Sequence, residues 1–229
     1  MQRIFLFLLC LFFPLSYTSV ATDNSGVDAV SECAQLYEKL GLAGVVGYAA
    51  FEQAVEGYNG IPGKKKEVLT LIDFTKASTQ ERMWVIDMAR SKILFTTHVA
   101  HGQNSGGNYA TSFSNRSGSH MSSLGFYLTD HTYIGKNGYS LVLDGLEPGI
   151  NDNARARAVV IHAAAYANPS VIPSMGRLGR SHGCPALPEA VNTKIIDAIK
   201  GGSVLFIYAD KPEYLAQSAV LSSRTDSIL

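Results

Sequence analysis

The spacing of apolar residues changes once along this chain, and the change separates a helical segment from a strand-rich one. Up to Gly60, apolar residues recur at the spacing of an amphipathic helix, and two helices are predicted within 28–60. From Val68 onward, short apolar runs alternate with turn residues, which is typical of strands. The predicted strands are 68–75, 82–89, 92–100, 124–135, 139–146, 158–164 and 203–209.

These elements predict a mainly β fold class. One late helix is predicted over 187–202, because Pro188 and Glu189 suit a first turn and a pair of glycines suits its end. Many short strands joined by hairpin turns favour a β-sandwich or a barrel-like pair of sheets. We therefore expect a sandwich with a helical N-terminal extension and one helix after Cys184.

The first 21 residues are predicted to be a signal peptide. Arg3 precedes an apolar run over 4–15, and small residues ending at Ala21 supply a cleavage site. The apolar run is short for a membrane span, so no stable membrane insertion is expected after cleavage, although an uncleaved anchor is the alternative. The mature protein is expected to be exported, to the periplasm or the cell envelope.

The charge balance argues against a nucleic-acid partner. The formal net charge is +0, and charged residues make up 17% of the chain. Electrostatic binding to nucleic acid needs a clustered basic excess. The basic run within 63–67 is short and is interpreted as a solvated loop.

Cys184 stands in the stretch GRSHGCPALP, among residue types that suit a cysteine nucleophile. The helix predicted from about Leu187 begins just after it, and a helix N-terminus lowers the pKa of a thiol. Gly183 leaves room for a substrate carbonyl, so the amides of Gly183 and Cys184 are candidate oxyanion donors. His182 and His162 are the candidate bases, the latter at the end of a predicted strand.

Cysteine and histidine residues also serve in core packing, disulfides and metal sites. Cys33 lies at helical spacing and is interpreted as a packing residue, while export permits a disulfide between Cys33 and Cys184. A zinc site is disfavoured, because His98 and His101 point to opposite faces of an extended strand and no zinc-ligand spacing is present. His120 and His131 do not complete such a pattern. No metal and no cofactor is therefore expected.

The order of these residues resembles a known family. His162, followed after a loop by Ser181-His182-Gly183-Cys184, resembles the signature of the L,D-transpeptidase (YkuD-type) catalytic domain. The stretches SFSNRSGSHMSSLGFYLT, GYSLVLDGL, NDNARARAVVIHAA and GRLGRSHGCPALP are similar to the murein L,D-transpeptidase branch. The resemblance covers about 68–209. It departs from the main family at Pro185-Ala186, where an Asn or Arg usually follows the cysteine.

The resemblance implies a role for each matching residue. The implied catalytic set is Cys184 as nucleophile, His162 as general base, His182 as a pocket-shaping histidine, Gly183 as the oxyanion turn and Ser181 at the Ser/Thr position. Arg177 and Arg180 flank the motif and are candidates to bind a substrate carboxylate, with a surface role as the alternative. The long polar loop over 101–123 is expected to cover the substrate groove.

The residue patterns and the resemblance together predict a domain division, and the resemblance implies a reaction. The expected division is 1–21 signal peptide, 22–66 helical extension and linker, 67–210 catalytic domain, and 211–229 a loosely held tail. The implied reaction is acyl transfer on peptidoglycan stem peptides, through a thioester on Cys184. An L,D-carboxypeptidase or another peptidoglycan hydrolase on the same site, and a non-catalytic cell-wall-binding module, are the alternatives.

Overall fold

The computed structural model describes residues 25–222, so the predicted signal peptide and residues 223–229 lie outside the described part. The N-terminal segment forms the two predicted helices, α1 (Ser25–Lys39) and α2 (Tyr48–Gly60). Across residues 25–222, no helix combines the length and the apolar character that a membrane crossing needs.

The β-rich part contains every predicted strand and one that was not predicted. The strands are β1 (Val68–Asp73), β2 (Met83–Asp87), β3 (Lys92–Thr97), β4 (Gly125–Gly135), β5 (Gly138–Gly145), β6 (Val160–Ala163), β7 (Ala186–Leu187) and β8 (Val204–Tyr208). The unpredicted strand is β7, which has only two residues. The mainly β fold class is confirmed.

The later helices are short, apart from the one that follows β7. They are α3 (Ile172–Met175), α4 (Glu189–Ile199), α5 (Pro212–Gln217) and α6 (Ala219–Ser222). Turns of 3₁₀ helix occupy 103–105, 165–167 and 169–171. The predicted late helix is thus confirmed as α4, although it begins two residues later than expected.

The strands form one continuous sheet whose two ends meet. The order of the eight strands is β3-β2-β1-β8-β4-β5-β6-β7. The chain leaving β3 then reaches the other end of the sheet, where Ala100 pairs with Ala186 of β7 and Gly102 pairs with Ser181. The sheet therefore curls round its core as the two layers of a sandwich do, and the segment that contains Cys184 lies where the ends join.

One hydrophobic core joins the sheet to the N-terminal helices. Strands β2 and β8 are buried along their whole length, as expected for strands covered on both faces. Helix α2 approaches the sheet closely at Gly57, where an added Cβ would stand 2.1 Å from Cζ of Phe126. Cys33 of α1 is 8% exposed and belongs to this core. Its predicted packing role agrees with that position.

The C-terminal segment is anchored as far as residue 222, which corrects the expectation of a loosely held tail for residues 211–222; the rest of the predicted tail lies outside the described residues. Helices α5 and α6 place Tyr214 and Ser218 in buried positions. Both hydroxyls donate to the carboxylate of Glu147, which is itself fully buried. Burial raises the pKa of Glu147, and the hydroxyls and the Phe126 amide oppose that rise. The sequence gives no sign of this anchor, because a buried carboxylate is not recognisable from its neighbours in the chain.

Candidate active site

The pairing of β6 with β7 brings the Cys184 turn beside His162. In this parallel register His162 lies opposite Ala186, two residues after Cys184. The Val160 amide donates to the Cys184 sulfur at 3.5 Å, and the thiol donates to the Ala158 carbonyl at 3.6 Å. The predicted nucleophile and base therefore lie on neighbouring segments at the closure of the sheet.

The turn from Ser181 to Cys184 is closed by the Ser181 side chain. Its hydroxyl accepts a hydrogen bond from the Gly183 amide at 3.0 Å and donates to the Cys184 carbonyl at 2.7 Å. The Ser181 amide donates to the His101 carbonyl at 2.9 Å, which ties the turn to the chain beyond β3. A Ser or Thr at this position therefore holds the turn from inside.

Gly183 is required by both the conformation and the space of the turn. Its φ is +122°, a value that favours glycine. A Cβ at this position would stand 2.7 Å from the Met121 carbonyl oxygen. The Gly183 amide is already bound to the Ser181 hydroxyl, so it is not free to act as an oxyanion donor in this conformation. The amide of Cys184 interacts with its own sulfur and acts to lower the pKa of the thiol.

The Cys184 thiol is half-buried, and burial raises its pKa. The Val160 amide and the positive charge of Arg157 oppose that rise. The expected contribution of a helix N-terminus is wrong, because β7 separates Cys184 from α4. The first amide of that helix, on Glu189, is bound by the side chain of Asn168 at 3.0 Å. The thiol therefore rests in its neutral form near neutral pH.

His162 has the burial and the tautomer of a general base. The residue is 4% exposed, and its Nδ1 lies 2.8 Å from the Ala163 carbonyl. A carbonyl only accepts, so Nδ1 carries the proton and Nε2 is left with a free lone pair. Burial lowers the pKa of His162, which keeps the ring neutral. Within residues 25–222 no direct hydrogen bond joins the ring to the thiol, as is common for catalytic pairs before substrate binds.

His182 lies at the surface and stacks on a histidine from the long loop. The rings of His182 and His120 are parallel within 8°, with their centroids 4.1 Å apart. The amide of Gln103 donates to Nδ1 of His120 at 2.9 Å and fixes that ring. His120 was not predicted as a site residue; its only sequence signal is its place in a glycine- and serine-rich loop.

The two arginines that flank the motif contact backbone carbonyls. Arg180 donates through Nη1 to the carbonyls of Gln103 and Gly106, at 3.0 and 2.9 Å. Arg177 donates through Nη1 to the carbonyl of Leu178 at 2.7 Å. Both side chains stay partly exposed. Their predicted role in binding a substrate carboxylate stays a prediction.

The 101–123 loop packs against the turn from Ser181 to Cys184. Ser122 accepts a hydrogen bond from the Gly102 amide at 3.0 Å, and its own amide donates to the Ser105 hydroxyl at 2.9 Å. The Ser122 hydroxyl also contacts the Gly183 carbonyl at 3.3 Å. The loop is therefore an ordered wall of the site, tied to itself and to the turn.

The start of this loop rests on a buried arginine. Arg82 is fully buried and donates to the carbonyls of Val99 and Lys76 and to Nδ1 of His101, the last at 2.8 Å. Burial together with the charge of Arg82 lowers the pKa of His101 to about 4, so this histidine stays neutral. The pair supports the backbone that accepts from Ser181 and does not face the thiol.

The remaining histidines do not form a metal site. His98 contacts the Thr79 carbonyl, and His131 pairs with Asp130 at the surface. The part of the chain from 25 to 222 contains no group of three or more His, Cys, Asp or Glu side chains arranged to hold a metal ion. In the same part, Cys33 and Cys184 are both free thiols.

Two further residues beside the thiol were missed by sequence reasoning. Tyr166 lies in the connection after β6, and burial with the nearby Cys184 raises its pKa to about 12. Arg157 lies just before β6 and is close enough for its charge to act on the thiol. The residue after it, Ala158, has a φ of +53°, which is rare without glycine and is often found at functional sites.

Comparison with known proteins identifies the class to which this fold and site belong. Residues 43–208 match the model of the L,D-transpeptidase catalytic domain family (YkuD_2). The match covers most of the chain, and the chain therefore belongs to this family. The matched segment begins before α2 and ends with β8, so the second N-terminal helix is part of it. No functionally curated protein matches the chain.

Solved structures similar to this chain include several L,D-transpeptidases. An L,D-transpeptidase from Mycobacterium smegmatis is 15% identical, with a TM-score of 0.38 over 62% of this chain and 59% of that one. An L,D-transpeptidase from Stackebrandtia nassauensis is 14% identical, with a TM-score of 0.38 over 79% and 78%.

A third similar structure is a mutant of the helical cell shape determining protein Pgp2 from Campylobacter jejuni. It is 13% identical, with a TM-score of 0.43 over 72% of this chain and 56% of that one. The chain spans about three-fifths of the length of the Mycobacterium smegmatis protein.

Proposed function

We propose that this protein is an exported L,D-transpeptidase, a cysteine acyltransferase that acts on peptidoglycan stem peptides. The observation that supports it best is the pairing of β6 with β7, with the Cys184 turn beside a histidine whose Nε2 is free to take a proton. Membership of the L,D-transpeptidase catalytic domain family supports the substrate class.

In the proposed acylation step, His162 Nε2 accepts the Cys184 proton while the sulfur attacks the carbonyl of the diamino acid at stem position three. The new C–S bond produces a tetrahedral oxyanion, for which the Cys184 amide is the proposed donor. The C–N bond to D-alanine then breaks, and the proton on His162 passes to the leaving amine. The product of this step is a thioester on Cys184 and free D-alanine.

In the proposed second step, an amine of a neighbouring stem attacks the thioester. His162 takes the amine proton and returns it to the sulfur, which restores the thiol and leaves a new amide cross-link. The stack of His120 on His182 and the ordered 101–123 loop form the proposed walls of the groove. Arg177 and Arg180 are the proposed partners of a substrate carboxylate.

Incubation with defined tetrapeptide stems, followed by mass spectrometry, tests the proposal. The mature protein should release D-alanine and give cross-linked product when an acceptor stem is present, and Cys184→Ala should give neither. Tripeptide without cross-links would identify an L,D-carboxypeptidase instead. Failure to convert any stem, by protein shown to be folded, would leave a wall-binding module.

A further inference from the structure

Arg157 is bound entirely by the 101–123 loop. Its Nη1 donates to the Ser114 carbonyl at 2.8 Å and to the Ser123 hydroxyl at 2.5 Å. Its Nη2 donates to the Met121 carbonyl at 2.6 Å and to the Ser119 hydroxyl at 3.3 Å. These four hydrogen bonds occupy the four N–H groups of the two terminal nitrogens. Arg157 therefore holds the loop in place and has no terminal N–H left to bind substrate.

The same guanidinium lies against the catalytic turn. The position of a Cβ on Gly183 is 3.2 Å from Nη2 of Arg157 and 2.7 Å from the Met121 carbonyl that Nη2 binds. Gly183 precedes Cys184 directly. The loop, the arginine and the nucleophile turn therefore meet with no room for another side chain.

Arg157 has neutral acceptors but no carboxylate partner. Within the described residues 25–222, no Asp or Glu forms a salt bridge with it. The ionisable groups whose charge acts on Arg157 are Tyr127 and Cys184. Burial raises the pKa of Tyr127 far above its usual range, so the phenol stays neutral. Ionised Cys184 is thus the anion available to balance this half-buried cation.

Arg155 provides the contrast two residues earlier. It is exposed and donates to the carboxylates of Asp144 and Asp130, at 2.5–2.6 Å. The two arginines share a chain segment and a charge, but only Arg157 faces the thiol.

We propose that Arg157 is a positioning residue for the nucleophile, which fastens the 101–123 loop onto the Gly183 turn and supplies the positive charge that stabilises the Cys184 thiolate as it forms. The inference rests on the proposed function in taking Cys184 as the nucleophile. The electrostatics support the assignment, because Arg157 lowers the pKa of Cys184 against the rise that burial causes.

Other titratable groups come from the elements packed around the Cys184 turn. His162 of β6 lies opposite Ala186, Tyr166 in the connection after β6 responds to the charge of Cys184, and His120 of the loop stacks on His182 of the turn. Arg157 is the permanent cation beside the thiol, so its removal should raise the pKa of Cys184.

The test is the rate of Cys184 alkylation by iodoacetamide from pH 6 to pH 10, read on the Cys184 peptide by mass spectrometry in the full mature chain. We expect Arg157→Gln to lower the rate about tenfold at each pH below the midpoint, since a nearby charge shifts a pKa by about one unit or more. Arg157→Lys should recover most of the rate, and Arg155→Gln should leave it unchanged. Cys33, which is buried, reports on folding because it should resist alkylation in every folded variant.

Ser123→Ala separates the fastening from the charge, because it removes one loop acceptor and keeps the cation. It should lower the alkylation rate by less than Arg157→Gln does and should leave the midpoint of the thiol titration at the pH of the parent. An unchanged profile in Arg157→Gln, with Cys33 still protected, would overturn the inference. If Arg157→Gln does not fold, Arg157→Lys provides the test. A tenfold loss of alkylation rate in the folded lysine variant would also overturn the inference.

Alkylation needs no stem peptide, so a failure of the proposed function can be distinguished from a failure of the inference about Arg157. A parent protein that alkylates with the predicted Arg157 dependence but converts no stem would sink the proposed function alone. A parent that converts stems, with an alkylation profile indifferent to Arg157, would sink this inference alone.

Discussion

Ser181 and Cys184 are joined by a hydrogen bond of 2.7 Å from the Ser181 hydroxyl to the Cys184 carbonyl. The same hydroxyl accepts from the Gly183 amide, so one small side chain holds the nucleophile turn from both ends. The position selects a short hydroxyl because nothing else offers an acceptor and a donor at this distance from the backbone.

Ser181→Ala should loosen the turn. It removes two hydrogen bonds, each of which contributes about 1 kcal/mol, so we expect kcat/KM on a tetrapeptide stem to fall roughly 30-fold. Ser181→Thr keeps the hydroxyl and should stay within about threefold of the parent. Steady-state D-alanine release measures both variants. Equal losses in the alanine and threonine variants would contradict this role for the hydroxyl.

His162→Ala should be more damaging than Ser181→Ala. General-base catalysis typically contributes a factor of about 10² to 10⁴, which exceeds the effect of two neutral hydrogen bonds. The comparison is made on kcat for D-alanine release, with thermal unfolding as the control for folding. Similar losses in the two alanine variants would reduce His162 to a packing residue.

The pH dependence follows from two opposite shifts. Burial lowers the pKa of His162 and raises the pKa of Cys184, so the resting pair is a neutral imidazole and a neutral thiol. The acid limb of kcat/KM should therefore lie below about pH 6.5, where a free imidazole titrates, because the base stays unprotonated to lower pH. A limb above that value would contradict the assignment of His162 as the base.

Burial of His162 also affects stability. A depressed pKa means that the unfolded chain binds the proton more readily, so the free energy of unfolding should fall as the pH drops below about 6.5. Part of this loss should disappear in His162→Gln. Urea unfolding at a series of pH values gives the comparison.

Cys184→Ala should remove covalent chemistry and leave the fold intact. A carbapenem should acylate the parent protein and add its mass to the Cys184 peptide, because a strained amide mimics the donor carbonyl. The adduct should be missing from Cys184→Ala and unchanged in Cys33→Ala, whose cysteine is packed in the core. An adduct on the Cys184→Ala variant would assign the nucleophile elsewhere.

Gly183→Ala should impair both the turn and the loop. The substitution forces a side chain onto a φ of +122° and against the Met121 carbonyl, and such strain typically costs about 1–3 kcal/mol. Gly107→Ala is the matched control, since a Cβ at Gly107 meets nothing within 4 Å. Gly183→Ala should lower both the free energy of unfolding, measured by chemical denaturation, and the rate of Cys184 alkylation. Gly107→Ala should change neither quantity.

The C-terminal anchor makes a pH-dependent contribution. Tyr214→Phe removes a donor to the buried Glu147 carboxylate and should cost about 1–3 kcal/mol at pH 7. Burial raises the pKa of Glu147, so the ionised form is penalised in the folded state, and protonation on acidification relieves that penalty. Because the raised pKa places this protonation above the ordinary value of 4.5, the difference between variant and parent should shrink as the pH falls from 7 towards 4.5. An equal difference at pH 7 and pH 4 would contradict the ionic interpretation.

Periodicity was sufficient for most of the fold and for less of the site. A strand with a continuous apolar run, such as β8, is recognisable because burial on both faces favours apolar residues at successive positions. The two-residue strand β7 is not recognisable from the sequence, because its pairing depends on the position of the chain on either side of it. Helix α4 was predicted to begin at Leu187 because the pairing of that residue in β7 was not foreseen.

The sequence indicates those candidate site residues that lie in one local stretch, and it gives no indication of those that are assembled in space. Ser181 to Cys184 lie in one stretch, and His162 ends a recognisable strand. The proposed role of Arg157 depends on four contacts with the 101–123 loop, and nothing in the stretch NARARA distinguishes Arg157 from Arg155. The Gly183 amide was expected to face substrate, and only the observed bond to Ser181 shows that it is engaged.

The two ends of the sheet meet at Ala100 and Ala186, so the site depends on segments from both ends. A fragment that began after residue 102 would still contain nucleophile, base and Arg157, yet it would lose one of the two backbone edges between which the nucleophile is held. A fragment that ended before Ser181 would keep His162 and lose Cys184. The reactivity of Cys184 therefore depends on the closed sheet as a whole. A cysteine-directed probe should measure the fraction of molecules in which the two ends of the sheet are joined.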